Sequence, residues 1–114
     1  MCGRYTLYDI EEMKDHFDVE VPDNIKPNYN AAPTQTMPVI RLVDGKSKVE
    51  LMHWGIPRML GKDFVKEIIN TRSDKAFGNF WKKQVRTQRV LIPANGFYEW
   101  KKSSEGKTPV RLPI

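Results

Sequence analysis

An Asp-Gly dipeptide, Asp44-Gly45, lies between two strand-like runs, Val39–Val43 and Val49–Trp54. Asp-Gly is well suited to the tight turn of a β-hairpin, because both central residues of that turn need positive φ angles. The flanking runs are rich in branched apolar residues, as strands are. This feature predicts an antiparallel pair of strands in the middle of the chain.

The rest of the chain predicts short elements of both kinds. Asp9 and Glu12 have capping-box spacing, and Ile10, Met13 and Phe17 would share one helical face. The patterns together predict an α+β chain dominated by antiparallel hairpins. The predicted elements are a helix over 9–17, an extended ordered loop over 21–38, a loop over 55–63, an extended run Phe64–Asn70, a helix over 75–87, two strands around a Pro-Ala-Asn-Gly turn within 89–102, and a last strand Thr108–Leu112.

The last predicted strand is followed directly by Pro113-Ile114, which leaves nothing to cover it. We therefore expect residues 1–114 to be the N-terminal portion of a single larger domain. An unpaired strand edge is the second expectation, and such an edge can support dimerisation or aggregation.

The composition fits one small soluble domain of 114 residues, with a net charge of +5 that favours a polyanionic partner. No apolar run reaches the roughly 20 residues of a membrane span, and the N-terminus lacks a signal-peptide pattern. A cytoplasmic, nucleoid-associated location is therefore predicted. One cysteine and two histidines supply neither a disulfide framework nor a metal-ligand cluster, so neither a metal nor another cofactor is expected.

Cys2 is the residue with the most distinctive chemistry. Loss of Met1 would leave a thiol and a free α-amine on adjacent carbons, and an α-amine has a pKa of about 7.7–8.0, so part of it is neutral at physiological pH. A 1,2-aminothiol traps aldehydes, since the amine forms a Schiff base and the tethered thiolate closes a thiazolidine ring. A cysteine at position 2 also arises by chance, so this feature alone does not establish a function.

Five motifs in order resemble the SRAP family (SOS-response-associated peptidase): MCGRY at 1–5, NYNAAPT at 28–34, WGIP at 54–57, INTRSDKA at 69–76 and RVLIPANGFYEW at 89–100. They span the chain but only about the first half of a family domain. The resemblance implies a bifurcated, barrel-like antiparallel sheet with flanking short helices. It also implies binding of single-stranded DNA, capture of abasic sites as a thiazolidine on Cys2, and self-removal of the residues before Cys2.

The same resemblance assigns further roles by position. Asn70 is similar to the asparagine beside the thiazolidine, Glu99 to the acid–base glutamate, and Arg4 and Arg72 to the arginines that hold phosphates on either side of the lesion. Judged by local pattern alone, Asn70 is a turn-capping residue, Arg72 a solvated surface charge and Glu99 an outward-facing hairpin residue. A carboxylate between Tyr98 and Trp100 would nevertheless suit proton transfer if water were partly excluded.

Two parts of the family pattern differ here. The family's catalytic histidine falls beyond residue 114, and neither His16, expected at the surface, nor His53 takes its place. Family members often carry aromatic wedges after the WG-x-x-P segment, where this chain has Met59 and Leu60. These two side chains are predicted either to wedge into the DNA stack or to pack as ordinary loop residues.

Three rival functions remain at this level. The chain could be a cysteine peptidase acting on other proteins, although no feature supplies a substrate cleft. It could be a basic module that binds nucleic acid by charge alone, with strong salt dependence and no covalent bond. It could also be an inactive fragment.

Overall fold

The computed structural model describes residues 2–114. Met1, whose removal the predicted Cys2 chemistry requires, lies outside the described residues. Residues 2–114 form eight strands, two α-helices and one 3-10 turn. Their bounds are β1 Tyr5–Leu7, α1 Ile10–Phe17, β2 Asn28–Ala31, β3 Thr36–Val43, β4 Lys46–His53, β5 Ile56–Leu60, β6 Asp63–Ile68, a 3-10 turn Ser73–Lys75, α2 Lys82–Thr87, β7 Gly96–Ser103 and β8 Gly106–Pro113.

All strand pairing is antiparallel, which confirms the predicted α+β class. One four-stranded sheet has the order β2-β1-β7-β8, and β3-β4 and β5-β6 form two separate hairpins. Within residues 2–114 the four-stranded sheet is open and does not close into a barrel. Strand β8 is one of its edges, as the sequence predicted, and all of its residues are exposed.

The predicted central hairpin is confirmed and is longer than expected. Strands β3 and β4 pair without interruption from Thr36↔His53 to Val43↔Lys46. Asp44 and Gly45 have φ angles of 50° and 78°, the left-handed values that a two-residue turn of this kind requires. The hairpin contributes the buried residues Met37, Ile40 and Val49 to the core. The turn therefore positions side chains that pack against the rest of the protein.

Helix α1 is also confirmed. The Asp9 carboxylate accepts a hydrogen bond of 2.9 Å from the Glu12 amide, so it caps the first turn as predicted. Met13 is buried, and Ile10 and Phe17 pack partly against the same core. In strand β1, Tyr5, Thr6 and Leu7 are all buried. Because β1 is central in the sheet and covered, the segment just before it, which carries Cys2, has a defined position.

Three predicted elements are wrong. The predicted loop over 21–38 contains β2 and the start of β3, because edge strands tolerate the nearby prolines. The predicted loop over 55–63 is mostly β5, which turns at Gly61-Lys62 into β6. The predicted helix over 75–87 is split into the 3-10 turn and α2, since Gly78 and Asn79 favour helix interruption over continuation.

The predicted strand before the Pro-Ala-Asn-Gly turn is also absent: residues 89–92 contribute only a single bridge, Leu91 to Ile40. Asn95 instead fastens the start of β7 to the end of β1. Its side-chain oxygen accepts from the Tyr8 and Asp9 amides at 2.8 and 3.2 Å, and its backbone amide donates to Thr6 O at 2.8 Å. These bonds hold β7, and with it Glu99, beside the N-terminal segment. No helix of residues 2–114 is long and apolar enough to cross a membrane.

Candidate functional site

Cys2 lies three residues before β1 and is half-buried against the edge of the hydrophobic core. Its thiol donates to the carbonyl oxygen of Arg4, with Sγ and O 3.3 Å apart. Sulfur forms weak hydrogen bonds, so this contact orients the side chain without locking it. The Cys2 thiol therefore has fixed neighbours and remains partly accessible to solvent.

Asn70 is in direct contact with the segment that carries Cys2. Its amide nitrogen Nδ2 donates to the Cys2 carbonyl oxygen at 2.6 Å. The preceding residue is anchored as well, because the Trp54 indole donates to Ile69 O at 3.0 Å. The chain thus brings together two residues that are 68 positions apart, and both were selected from the sequence. Their catalytic roles remain predictions.

Glu99 is half-buried on β7, one residue beyond a backbone hydrogen bond that joins β7 to the N-terminal segment. That bond runs from the Tyr98 amide to Arg4 O at 2.9 Å. Side chains alternate along a strand, so Glu99 lies on the same face of β7 as Phe97, which packs against the core. Its local pattern favoured an outward-facing residue; the structure instead places it on the inner face, beside the segment that leads to Cys2.

An aromatic pair borders the cysteine. The Tyr5 and Trp54 rings have centroids 5.4 Å apart. Burial, with a smaller contribution from the charge of the nearby Cys2 thiolate, raises the pKa of the Tyr5 hydroxyl to about 12. Tyr5 is therefore neutral at physiological pH and cannot serve there as a base for the thiol. Tyr5 instead forms, with Trp54, part of the apolar surface against which Cys2 packs.

The two selected arginines are both engaged within the chain. Arg4 Nη1 donates to Asn30 Oδ1 at 3.0 Å, and Arg72 forms a bidentate pair with Asp74, both contacts being 3.1 Å. Arg72 lies beyond β6, which ends at Ile68, and its backbone is extended although it belongs to no strand. An exposed pair such as Arg72–Asp74 contributes little to stability, so a phosphate can displace the carboxylate.

Met59 and Leu60 lie at the end of β5, at the tip of a hairpin and not in the predicted loop. Their exposed fractions are 49% and 74%, so neither is packed in the interior. Met59 pairs across the hairpin with Phe64, which is also exposed. The tip of the β5–β6 hairpin is thus an exposed apolar surface, which favours an interaction role over loop packing.

A cleft of about 450 Å³ lies next to Asn70. Its lining residues are Gly3, Arg58, Lys66, Glu67, Ile68, Ile69 and Asn70. Arg58 and Lys66 are cross-strand partners, and like charges placed directly opposite destabilise a hairpin unless an anion neutralises them. The cleft therefore offers two cations beside the Cys2–Asn70 contact. The sequence interpretation missed both, because the β5–β6 hairpin was not predicted and a register shift between Arg58 and Met59 sets the Arg58–Lys66 pairing.

Within residues 2–114, neither histidine is hydrogen-bonded to the Cys2 thiol. His53 Nε2 is 2.6 Å from Glu67 Oε1, at the side of the cleft, and this pair is the only hydrogen bond of the His53 ring within residues 2–114. His16 is exposed on α1, as predicted, with its ring edge against Phe17. Within the same residues, no three His, Cys, Asp or Glu side chains are grouped as metal ligands would be.

Comparison with known proteins identifies relatives of this chain. The model of the SRAP family, described as SOS response associated peptidase, matches residues 1–113. Two Bacillus subtilis proteins match the whole chain: abasic site processing protein YoaM at 30% identity and abasic site processing protein YobE at 29%, with 54% and 56% of their own lengths covered. The chain therefore spans about half the length of the curated relatives it matches.

A solved structure gives the same result for the fold. The crystal structure of a phage-related protein from Bordetella bronchiseptica aligns with a TM-score of 0.73 and 27% identity. The alignment covers 96% of this chain and 54% of that protein. A family match that extends over nearly every residue, together with this shared fold, shows that the chain belongs to the SRAP family.

Proposed function

We propose that this protein binds single-stranded DNA and captures abasic sites covalently through Cys2, which shields the lesion. The observation that carries the proposal is the Asn70–Cys2 contact of 2.6 Å beside a cleft with two cations. The names of the relatives, abasic site processing proteins, support the same class of substrate. The proposal includes self-removal of whatever residues precede Cys2, since the chemistry needs a free α-amine.

The proposed reaction has two bond-forming steps. The α-amine of Cys2 attacks the C1′ aldehyde of the ring-opened sugar, and loss of water leaves an imine. The thiolate then adds to the imine carbon, the nitrogen takes up a proton, and a five-membered thiazolidine closes. Thiol and amine are held on adjacent carbons, so the second step is intramolecular and strongly favoured.

Neighbouring groups have distinct proposed roles in this reaction. Asn70, which already donates to the Cys2 carbonyl, positions the N-terminal residue and offers an amide to the sugar. Glu99, on the inner face of β7, is the proposed proton carrier for loss of water from the amine adduct. Glu99 is only partly shielded, which leaves a path for protons to solvent. Neither role requires a metal or an organic cofactor.

The strand is expected to follow the positive groups around the site. Arg4 and Arg72 are proposed to hold phosphates on either side of the lesion, and Arg58 and Lys66 supply a further anion site in the cleft. Met59 and Leu60, exposed at the hairpin tip, are proposed to wedge between bases next to the lesion. Single-stranded DNA suits this arrangement because an unpaired strand exposes both bases and sugar.

The test is a crosslinking reaction on denaturing gels. The protein is incubated with a single-stranded oligonucleotide that carries one abasic site and, as the matched control, with the same oligonucleotide carrying an intact base. We expect a slower-migrating band that survives heat and denaturant only with the abasic strand. Binding without such a band would favour a basic module that acts by charge alone, and cleavage of a peptide substrate sensitive to Cys2→Ser would favour a peptidase.

Arg72 and Asp74 provide a paired prediction about DNA binding. Arg72→Ala should weaken binding irrespective of base sequence and reduce the slope of log affinity against log salt concentration by about one. Asp74→Ala should have the opposite effect and tighten binding, by at most about fivefold, because an exposed ion pair contributes only about 0.2–1 kcal/mol. Fluorescence anisotropy over a salt series measures both; equal slopes for Arg72→Ala and the unmodified protein would make Arg72 an ordinary surface residue.

A further inference from the structure

The outer face of the four-stranded sheet carries an ordered aromatic group that the proposed reaction does not use. The rings of Tyr8 and Tyr29 are nearly parallel, at 5° with centroids 5.1 Å apart. The Arg111 guanidinium carbon lies 5.4 Å from the Tyr8 ring centroid, and its Nη2 donates to the Tyr8 hydroxyl at 3.1 Å. We call Arg111, Tyr8 and Tyr29 the tyrosine column.

Glycine at position 96 makes this arrangement possible. A Cβ there would lie 2.7 Å from Leu112 O and 3.2 Å from Arg111 Nε and Nη2. Any other residue would therefore push either the strand β8 or the Arg111 side chain away from Tyr8. The tyrosine column is thus built into the pairing of β7 with β8.

Tyr29 is the more exposed of the two rings in the column, with 64% of its surface open, whereas Tyr8 is half-buried. Its backbone is held in place, because the Tyr98 hydroxyl donates to Tyr29 O at 3.0 Å. An exposed aromatic ring that is already stacked on one neighbour loses little freedom when a second flat group stacks on it. Trp100 lies on the same face of β7 as Tyr98 and is 51% exposed, which extends the aromatic surface.

The column is continuous with the site around Cys2. Asn30, the residue after Tyr29, accepts the hydrogen bond from Arg4, and the Arg4 carbonyl accepts the one from the Cys2 thiol. Two hydrogen bonds, both made by Arg4, therefore connect the Cys2 thiol with the residue that follows Tyr29. Cations at both ends of this path, Arg4 and Arg111, match the phosphates of a strand that runs along it.

We infer that Tyr29 is a stacking site for an unpaired base of the DNA strand that leaves the Cys2 site across the outer face of the sheet. The inference rests on the proposed function for the identity of the strand. Aromatic rings accept any base, because every base has a flat face, so the site adds affinity without sequence preference. A duplex, whose bases are already stacked, cannot use it.

The test compares Tyr29→Ser with Tyr29→Phe, which keeps the ring. The probe is a fluorescent single-stranded oligonucleotide without an abasic site, so that binding is measured apart from covalent capture. Tyr29→Ser should weaken binding roughly 5- to 150-fold, the range for loss of one base–aromatic stack, whereas Tyr29→Phe should bind like the unmodified protein. Binding to a duplex of the same sequence should not change.

The outcomes separate this inference from the proposed function. If Tyr29→Ser binds the single strand as well as Tyr29→Phe does, the stacking site is wrong, whatever the crosslinking shows. If binding depends on Tyr29 but no variant crosslinks an abasic strand, the stacking site holds and the covalent mechanism fails. Should Tyr29→Ser lose its fold by circular dichroism, Tyr29→Leu replaces it, because leucine keeps apolar bulk without a flat ring; wild-type affinity of that variant would overturn the inference.

Discussion

Cys2→Ala should form no heat-stable adduct with an abasic strand. The variant keeps the α-amine and can still condense to an imine, but without the thiol the imine hydrolyses or eliminates. Reduction with borohydride during the reaction should therefore trap an adduct of Cys2→Ala that is not seen without reductant. The measurement is a time course on denaturing gels, with and without heating, using one oligonucleotide with a single abasic site.

The amine is tested by blocking it while the thiol stays intact. A short N-terminal extension that is not removed should abolish both the heat-stable and the borohydride-trapped adducts, because no imine can form. Intact mass spectrometry must accompany this variant, since active material should begin at Cys2. A heat-stable adduct at the normal rate from either Cys2→Ala or the retained extension would move the nucleophile elsewhere and contradict the thiazolidine mechanism.

Glu99→Gln should slow crosslinking by about 10²–10⁴-fold and leave the final adduct stable. The substitution keeps both nucleophiles and nearly the same shape, but an amide cannot carry the proton. Because only the rate is affected, Glu99→Gln and the unmodified protein should reach similar yields of crosslinked adduct when the reaction is followed long enough. Single-turnover time courses with excess protein measure the rate directly.

Glu105→Gln is the matched control for Glu99→Gln. Glu105 lies in the turn between β7 and β8, is exposed, and carries the same charge on the same hairpin. The control separates loss of a proton carrier from loss of one negative charge near DNA, because only the latter is shared by both variants. Equal rates for the two variants would show that Glu99 is a structural residue on the inner face of its strand.

Features that depend on neighbouring residues were predicted correctly from the sequence. The Asp44-Gly45 turn and the Asp9 cap each involve atoms within a few positions, and their geometry follows from φ preferences and one hydrogen bond. The reactivity expected of Cys2 also follows from its position next to the N-terminus, and it stays a prediction. By contrast, the hairpin of β5 and β6 was missed because Pro57 and Gly61 resemble loop residues when the pairing partner is not known.

The candidate site depends both on local sequence motifs and on long-range contacts. Motifs selected Cys2, Asn70 and Glu99, yet nothing local to Cys2 or Asn70 shows that these two are in contact. Asn70 meets Cys2 because Trp54 anchors Ile69, and Glu99 faces inward because β7 pairs with β1 in one register. A shift of that register by one residue would turn Glu99 to the outer face.

The sequence by itself determined the antiparallel α+β class, the central hairpin, the first helix and the reactive potential of Cys2, because turns, caps and functional groups are properties of short segments. Only the tertiary structure decided that Asn70 touches Cys2, that Arg58 and Lys66 share a cleft, and that Arg111 lies over Tyr8. These contacts join residues 8 to 103 positions apart. They depend on which strands pair and in which register, and that is decided by the packing of the whole core.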